Sequence, residues 1–357
     1  MAAMREADDI GAILLEQAER LFLRIATKET LAAAEQGEWQ EAAWRAVEEA
    51  GLTLALVPEE AGGAGLEPRH AMSLVRLAGY HALPLPLAET MMAAALWAAA
   101  GGEALDGAVT LAPAGAGDAI SLRRDGSLVG RARRVPWGGS VDRLLVYARD
   151  EGGAGWLALV PRDAASAEPG RNVAYERRDA VTLDGVIVPE GFARPAPSDV
   201  ADGLLACGAL IRSHQMVGAM ERSLDHALAY AGERRQFGRP IGKFQAIQHM
   251  LAEAAGHFAA AAAAAEMASE AWRGAAFELA VAIAKSRAGE AAGKVAEIAH
   301  QVHGAMGFTQ EHPLHFSTRR LWSWRDEFGH EPLWQERLGR LVCRDGGEAM
   351  WPLLAGG

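Results

Sequence analysis

Cysteine is nearly missing: the 357 residues contain two, Cys207 and Cys343. Two thiols without metal-ligand spacing build neither a disulfide framework nor a structural metal site, so both are read as reduced core thiols of a cytoplasmic protein. Long apolar runs are missing too. The longest uncharged stretches, MMAAALWAAA and FAAAAAAA, fall well short of the roughly 20 residues a membrane span needs. The opening MAAMREADDI is acidic and polar where a secretory leader would be basic and then apolar, so no leader is expected. Positive charge is in deficit, with 35 Lys and Arg against 46 Asp and Glu and a net charge of -11. That balance argues against nucleic acid or an anionic membrane as the partner, while leaving room for local basic sites.

A chain of this length exceeds what one hydrophobic core organises, so two or three packed layers or domains are expected. Periodicity divides it into a helical, a β and a second helical region. In residues 1–107, DDIGAILLEQAERLFLRIA places Ile13, Leu14, Ala18, Leu21, Leu23 and Ile25 near a 3.6-residue period. Pro58, Gly62, Gly63 and Pro68 then interrupt helicity before it resumes. Across residues 108–195, short β-compatible runs such as DRLLVYARD, GWLALVPRD and AVTLDGVIVPEG are separated by Gly, Asp and Pro, as in a small antiparallel barrel or sandwich. After the Pro-rich PAPSD linker, residues 196–357 return to long helices. Met216, Met220, Leu224 and Leu228 form one apolar stripe, Ile247, Met250, Leu251, Ala254 and Phe258 a second, and Phe277, Val281, Ala284 and Ala288 a third.

One break in this helical region carries chemistry. ERRQFGRPIGKFQAIQHMLAE, Glu233 to Glu253, ends a helix, turns through Gly238 and Pro240 and starts another near Phe244. Arg234, Arg235, Arg239 and Lys243 stand beside exposed backbone amides, which reads either as an anion cradle or as an ordinary helix connection with solvated charges.

The whole string decides between them. ERRQFGRPIGKFQAIQ resembles the signature loop of the acyl-CoA dehydrogenase family, E-R-x-x-F-G-x-x-[IL]-x-x-x-Q, at every fixed letter. QVHGAMGFTQEHP, Gln301 to Pro313, resembles the family's Q-x-x-G-G-x-G-[FY]-x-x-E-x-P block, with Ala305 where a second glycine is usual. LVPEEAGGAG, Leu56 to Gly65, resembles its amino-terminal V-P-E-x-x-G-G-x-G turn. Three blocks in the right order are far more specific than a single glycine motif. The resemblance implies a mainly α fold with a central β domain: an N-terminal helical domain, a small antiparallel β barrel or sandwich, and a C-terminal four-helix bundle. It implies FAD as cofactor, an acyl-CoA thioester as substrate, α,β-dehydrogenation as the reaction and lipid metabolism as the setting. It further implies that Arg234 meets the FAD pyrophosphate of a neighbouring subunit, that Phe237 and Gln245 lie at its adenine side, and that Gln301 and Gly304 supply polar and backbone contacts. His300 and His303 are expected to be helix-end or interface histidines.

Elsewhere the resemblance fails. The reaction needs a carboxylate base beside the α-carbon. Counting from Pro313, the position the family gives that base falls on Phe328, ahead of Gly329; the alternative position used by some members falls on Gly208, with Ala209 where an arginine is usual. A one-residue shift would bring in Glu327; otherwise Glu327 reads as a solvated helix-end charge, with Asp326, His330 and Glu331 nearby. LAPAGAGDAIS, Leu111 to Ser121, lacks the Thr and Glu of the family's flavin-holding segment. Trp137 stands near the place of an aromatic that covers the flavin ring, and either keeps that role or plugs the barrel. The expected assembly is therefore a heterodimer or α2β2 heterotetramer, this chain lending the loop while a second family subunit supplies the base. Two further readings stay open: an autonomous homo-oligomer using Glu327, and a non-catalytic partner on the same fold. An electron-transfer flavoprotein stays open as redox partner, and steroid side-chain or aryl thioesters as substrates.

Overall fold

The elements follow from where helix formers give way to β-branched runs and to turns. In this computed structural model, residues 2–200, 203–349 and 351 are described. Five helices come first: α1 (Ala2–Ile25), α2 (Lys28–Glu35), α3 (Glu41–Glu49), α4 (Pro68–Tyr80) and α5 (Leu87–Ala99). In α1 the buried face is Ala18, Leu21 and Phe22, whereas Ile13 and Leu23 are exposed. At 100° per residue both stand well off the arc those residues define, so the looser period expected for them fails. Apolar on every side, α5 is buried along most of its length, which makes it the post around which the amino-terminal half packs.

Eight strands follow: β1 (Val109–Ala112), β2 (Ile120–Leu122), β3 (Ser127–Pro136), β4 (Arg143–Asp150), β5 (Gly155–Pro161), β6 (Ser166–Glu168), β7 (Arg178–Ile187) and β8 (Ala193–Pro195). They form one sheet in the order β6-β7-β3-β2-β4-β5-β8, with β1 also on β4. The sheet is mixed, not purely antiparallel as expected: β1 and β2 both run parallel to β4. The cause is local. β1 pairs with Arg143–Val146 and β2 with Arg149 and Asp150, so the two lie end to end along one strand, and the Pro113–Ala119 segment loops out between them.

The remaining helices are α6 (Leu205–Glu233), α7 (Gln245–Glu270), α8 (Phe277–His303), α9 (Leu314–Asp326) and α10 (Glu331–Asp345), with a hairpin of β9 (Arg235–Gln236) and β10 (Arg239–Pro240) between α6 and α7. Met216 and Met220 are buried while Leu228 is exposed: an i, i+4 stripe drifts about 40° per step, and by this turn the buried face of α6 has passed to Ala227 and Ala231. The seven alanines lie inside α7, where small side chains let helices approach closely. One core joins the amino-terminal helices, the sheet, the first turns of α6 and Phe328; a second fills the α6–α9 bundle. Cys207 is buried, but Cys343 is exposed on α10, contrary to its reading as a core thiol.

Candidate functional site

The hairpin is built to stand out from the surface. Pairing of Arg239 with Gln236 and of Pro240 with Arg235 leaves a two-residue loop, Phe237-Gly238. Both loop residues have positive φ, 51° and 81°, the conformation such tight hairpins require. Glycine adopts it freely, whereas phenylalanine does so at a cost, and strain of this kind gathers at functional sites. The Phe237 ring is 92% exposed and is steadied edge-on against Phe244 at 6.1 Å. Arg239 lies 4.3 Å over the Phe244 ring. Arg234, Arg235 and Lys243 are exposed.

Three other expected residues, Gln245, Gln301 and Gly304, belong to the neighbouring helix ends. Tyr230, one turn before the hairpin, stacks on His303 at 4.6 Å, which ties the end of α6 to the end of α8. Gln301 is exposed on the last turn of α8, and Gly304 follows at φ 58° with open space where a Cβ would stand. Gln245 begins α7 and is exposed. Thus Arg234, Phe237, Gln245, Gln301 and Gly304 present two arched, accessible backbone segments with a guanidinium and an open ring. His300 and His303 are buried: His303 donates its Nδ1 hydrogen to the Ala299 carbonyl at 2.7 Å, and His300 shares a hydrogen bond with Thr318 at 3.0 Å. Burial pushes both imidazoles below their ordinary pKa.

Glu327 is not the solvated helix-end charge that one reading made it. Its carboxylate is largely buried, accepting from Arg178 Nε at 2.6 Å, Arg178 Nη2 at 3.0 Å, Arg212 Nε at 2.7 Å and Asn172 Nδ2 at 3.1 Å. The same guanidiniums reach further carboxylates: Arg212 donates to Glu89 at 2.5 Å and Arg178 to Glu176 at 2.8 Å, while Arg320 Nε stands 3.2 Å from Glu176. Three carboxylates thus face three guanidiniums across α5, the sheet, α6 and α9. Burial disfavours the Glu327 anion, but the fields of Arg178 and Arg212 outweigh it and hold its carboxyl at about 2. A carboxylate so acidic and so fully engaged is a poor proton acceptor. Its neighbours are also committed: Glu331 accepts from Arg325 at 2.7 Å, and His330 caps α10.

At the two positions where the family pattern puts a base, the structure brings Phe328 and Gly208 face to face. A Cβ on Gly208 would lie 2.0 Å from Phe328 Cδ1. The ring, 1% exposed, fills the space a side chain at 208 would need. Beside this turn lies a cleft of about 390 Å³, lined by Ala114–Asp118, Arg133, Arg134, Pro136 and Asp326–His330. The looped-out segment between β1 and β2 forms one wall, alanine and glycine from Ala114 to Gly117 and then Asp118, whose carboxylate is engaged by Arg133 Nε at 2.9 Å. β3 gives this cleft two arginines, Arg133 and Arg134, the second at φ 54°. Trp137 is instead part of the core, 9% exposed and edge-on to Trp39 at 6.3 Å. Packing there fits the reading of a plug.

Sequence reading missed the partners of Glu327. One signal was available: Arg212 opens a polar run, RSHQ, between the apolar stretches of LLACGALIRSHQMVGAM, and a charge set in such a helix demands a buried counter-charge.

Comparison with known proteins agrees with this architecture. Residues 199–324 match the family described as acyl-CoA dehydrogenase, C-terminal domain. Acyl-CoA dehydrogenase IpdE2 of Mycobacterium tuberculosis is 30% identical over 287 residues, covering 79% of this chain and 80% of that protein. IpdE2 of Mycolicibacterium smegmatis is 27% identical over 316 residues, covering 86% and 91%. Among solved structures, the Tcur3481-Tcur3483 steroid ACAD G363A variant superimposes with a TM-score of 0.85 at 27% identity, covering 95% of this chain and 99% of that one. The ChsE4-ChsE5 complex of Mycobacterium tuberculosis gives 0.84 at 24% identity over 94% and 96%, a likeness of fold. On its motifs, its three-part architecture and these relatives, the chain belongs to the acyl-CoA dehydrogenase family.

Proposed function

We propose that this chain is the base-lacking subunit of a heteromeric, FAD-dependent acyl-CoA dehydrogenase of the cytoplasm. The observation that carries the proposal is an asymmetry. Both base positions are chemically inert and packed against each other, whereas the hairpin end of the bundle is open and basic. The likeness to the ChsE4-ChsE5 complex and to the Tcur3481-Tcur3483 steroid ACAD supports a partner subunit, and the latter supports a bulky steroid-type acyl group.

The residues fit part of the cofactor and not the rest. At the hairpin, Arg234 offers a planar fork for diphosphate oxygens, Gly304 allows close backbone approach, Phe237 supplies an apolar face for the adenine side, and Gln245 and Gln301 supply amide donors. At the cleft beside Phe328, the alanine-glycine wall and the buried Trp137 offer no comparable grip on a flavin ring. Bound FAD supplies the acceptor for the hydride that leaves the acyl β-carbon. This chain's part is to bind and orient the diphosphate end of a cofactor seated mainly in the partner; the partner's carboxylate takes the α-proton. Because Glu327 is already paired with two arginines, it stays out of that proton transfer.

Flavin content tests the reading. The purified chain alone is expected to be colourless, and the complex recovered through a tag on this chain to hold about one FAD per heterodimer. A yellow homo-oligomer that dehydrogenates acyl-CoA overturns the proposal.

A further inference from the structure

We propose that Phe328 is a fixed stopper closing the inner end of the 390 Å³ cleft, that it excludes an acyl chain from this subunit, and that Lys285 is the positioning residue that holds it in place. The proposal rests on the family reading only in naming the excluded ligand an acyl thioester.

Phe328 has a left-handed backbone, φ 52°, followed by Gly329 at φ 93°. A non-glycine residue keeps such a conformation when its surroundings over-determine it. Here the restraints are explicit. Trp334 donates its indole hydrogen to the Phe328 carbonyl at 3.0 Å. Lys285 Nζ donates to the Arg325 carbonyl at 2.6 Å and the Gly329 carbonyl at 2.8 Å, so one ammonium clasps both ends of the turn. Upstream, Glu327 is pinned by Arg178 and Arg212; the Arg212 guanidinium also lies 5.5 Å from the Phe328 ring centre.

On the buried face of α8, the hydrogen bonds of Lys285 go to this turn, with the carboxylates of Glu331 and Glu327 nearby. Lys285 is fully buried, and its two hydrogen bonds go to main-chain carbonyls. Burying an ammonium costs free energy that a leucine there would not incur. What the sequence retains in exchange is a turn locked with its ring pointing at Gly208. The niche takes the ring because residue 208 has no side chain, so stopper and socket depend on each other.

The test uses the full chain and two probes, benzene and octanoyl-CoA. Removing a buried aromatic ring leaves an apolar cavity of a kind that binds benzene. Phe328→Ala is expected to bind one benzene and to bind octanoyl-CoA at least about tenfold more tightly than wild type. Phe328→Leu serves if the alanine variant does not fold. Lys285→Met is expected to speed amide exchange selectively across residues 326–330 and to raise octanoyl-CoA binding with Phe328 still present. A purely structural lysine would lower global stability without either change. Equal octanoyl-CoA affinity in wild type, Phe328→Ala and Phe328→Leu overturns the stopper and leaves the base-lacking reading untouched. Unchanged exchange across 326–330 in Lys285→Met removes Lys285 from the proposal. Turnover by the isolated wild-type chain would instead refute the base-lacking reading.

Discussion

The Phe328 ring occupies the space that any side chain on Gly208 would need, with ring carbons 2.0 to 2.3 Å from where a Cβ would stand. Gly208→Ala must therefore displace the ring or bend α6, at an expected cost of about 1–3 kcal/mol from overpacking. Phe328→Ala empties the niche instead and should cost about 3–5 kcal/mol. Urea unfolding of the isolated chain measures both. A Gly208→Ala variant as stable as wild type would mean that the contact is not maintained in solution.

The network around Glu327 should behave as a buried unit. Arg212→Met leaves Glu89 without its guanidinium and Glu327 with one fewer, and breaking a buried pair from one side costs about 3–5 kcal/mol. Arg340→Ala, which removes an exposed pair with Glu336 on α10, should change stability by no more than about 0.5 kcal/mol. Similar losses in the two variants would contradict the geometry.

Two buried groups make stability rise with pH, each in its own window. Although burial opposes it, pairing with Arg178 and Arg212 lowers Glu327 from 4.5 to about 2, so its stabilising contribution is full above about 4.5 and lost as pH falls through about 2. Burial lowers Lys285 from 10.5 to about 7. The folded state therefore carries the cost of that buried charge in full below about 7, and the cost fades as pH rises towards 10.5. The stability gap between Lys285→Met and wild type should shift in favour of wild type over that interval. Melts of both proteins across the interval check the sign.

The hairpin should be dispensable for folding and needed for the complex. Arg234→Ala and Phe237→Ala remove exposed side chains, and each should leave the isolated chain's stability within about 0.5 kcal/mol of wild type. In the complex, Arg234→Ala should weaken flavin retention about tenfold or more, the equivalent of a charge-assisted hydrogen bond. Arg234→Lys should recover only part of it, because an ammonium keeps the charge and loses the fork. Equilibrium dialysis of FAD against the reconstituted complex reports both.

What could be read from sequence was local and contiguous. Glu233 to Gln245 announces a helix break with a basic turn, and simple counting placed Phe328 and Gly208 at inert base positions. That these two touch was not readable, since the contact depends on how α6 packs against the turn after α9. The burial of Glu327 was unreadable for a related reason: its partners come from the sheet and α6, and no periodicity links Arg178 to Arg212. Trp137 carried two readings because only the packing after β3, which puts the indole against Trp39 in the core, bears on the choice between them. The parallel pairs β1–β4 and β2–β4 were hidden by the loop between two very short strands.

The account is tested most directly by counting FAD and turnover in three samples: this chain alone, its purified partner, and their complex. It predicts no flavin and no acyl-CoA dehydrogenation for this chain alone, and about one FAD per heterodimer with full turnover for the complex, lowered by Arg234→Ala here. Stoichiometric flavin and turnover in the isolated chain would contradict it.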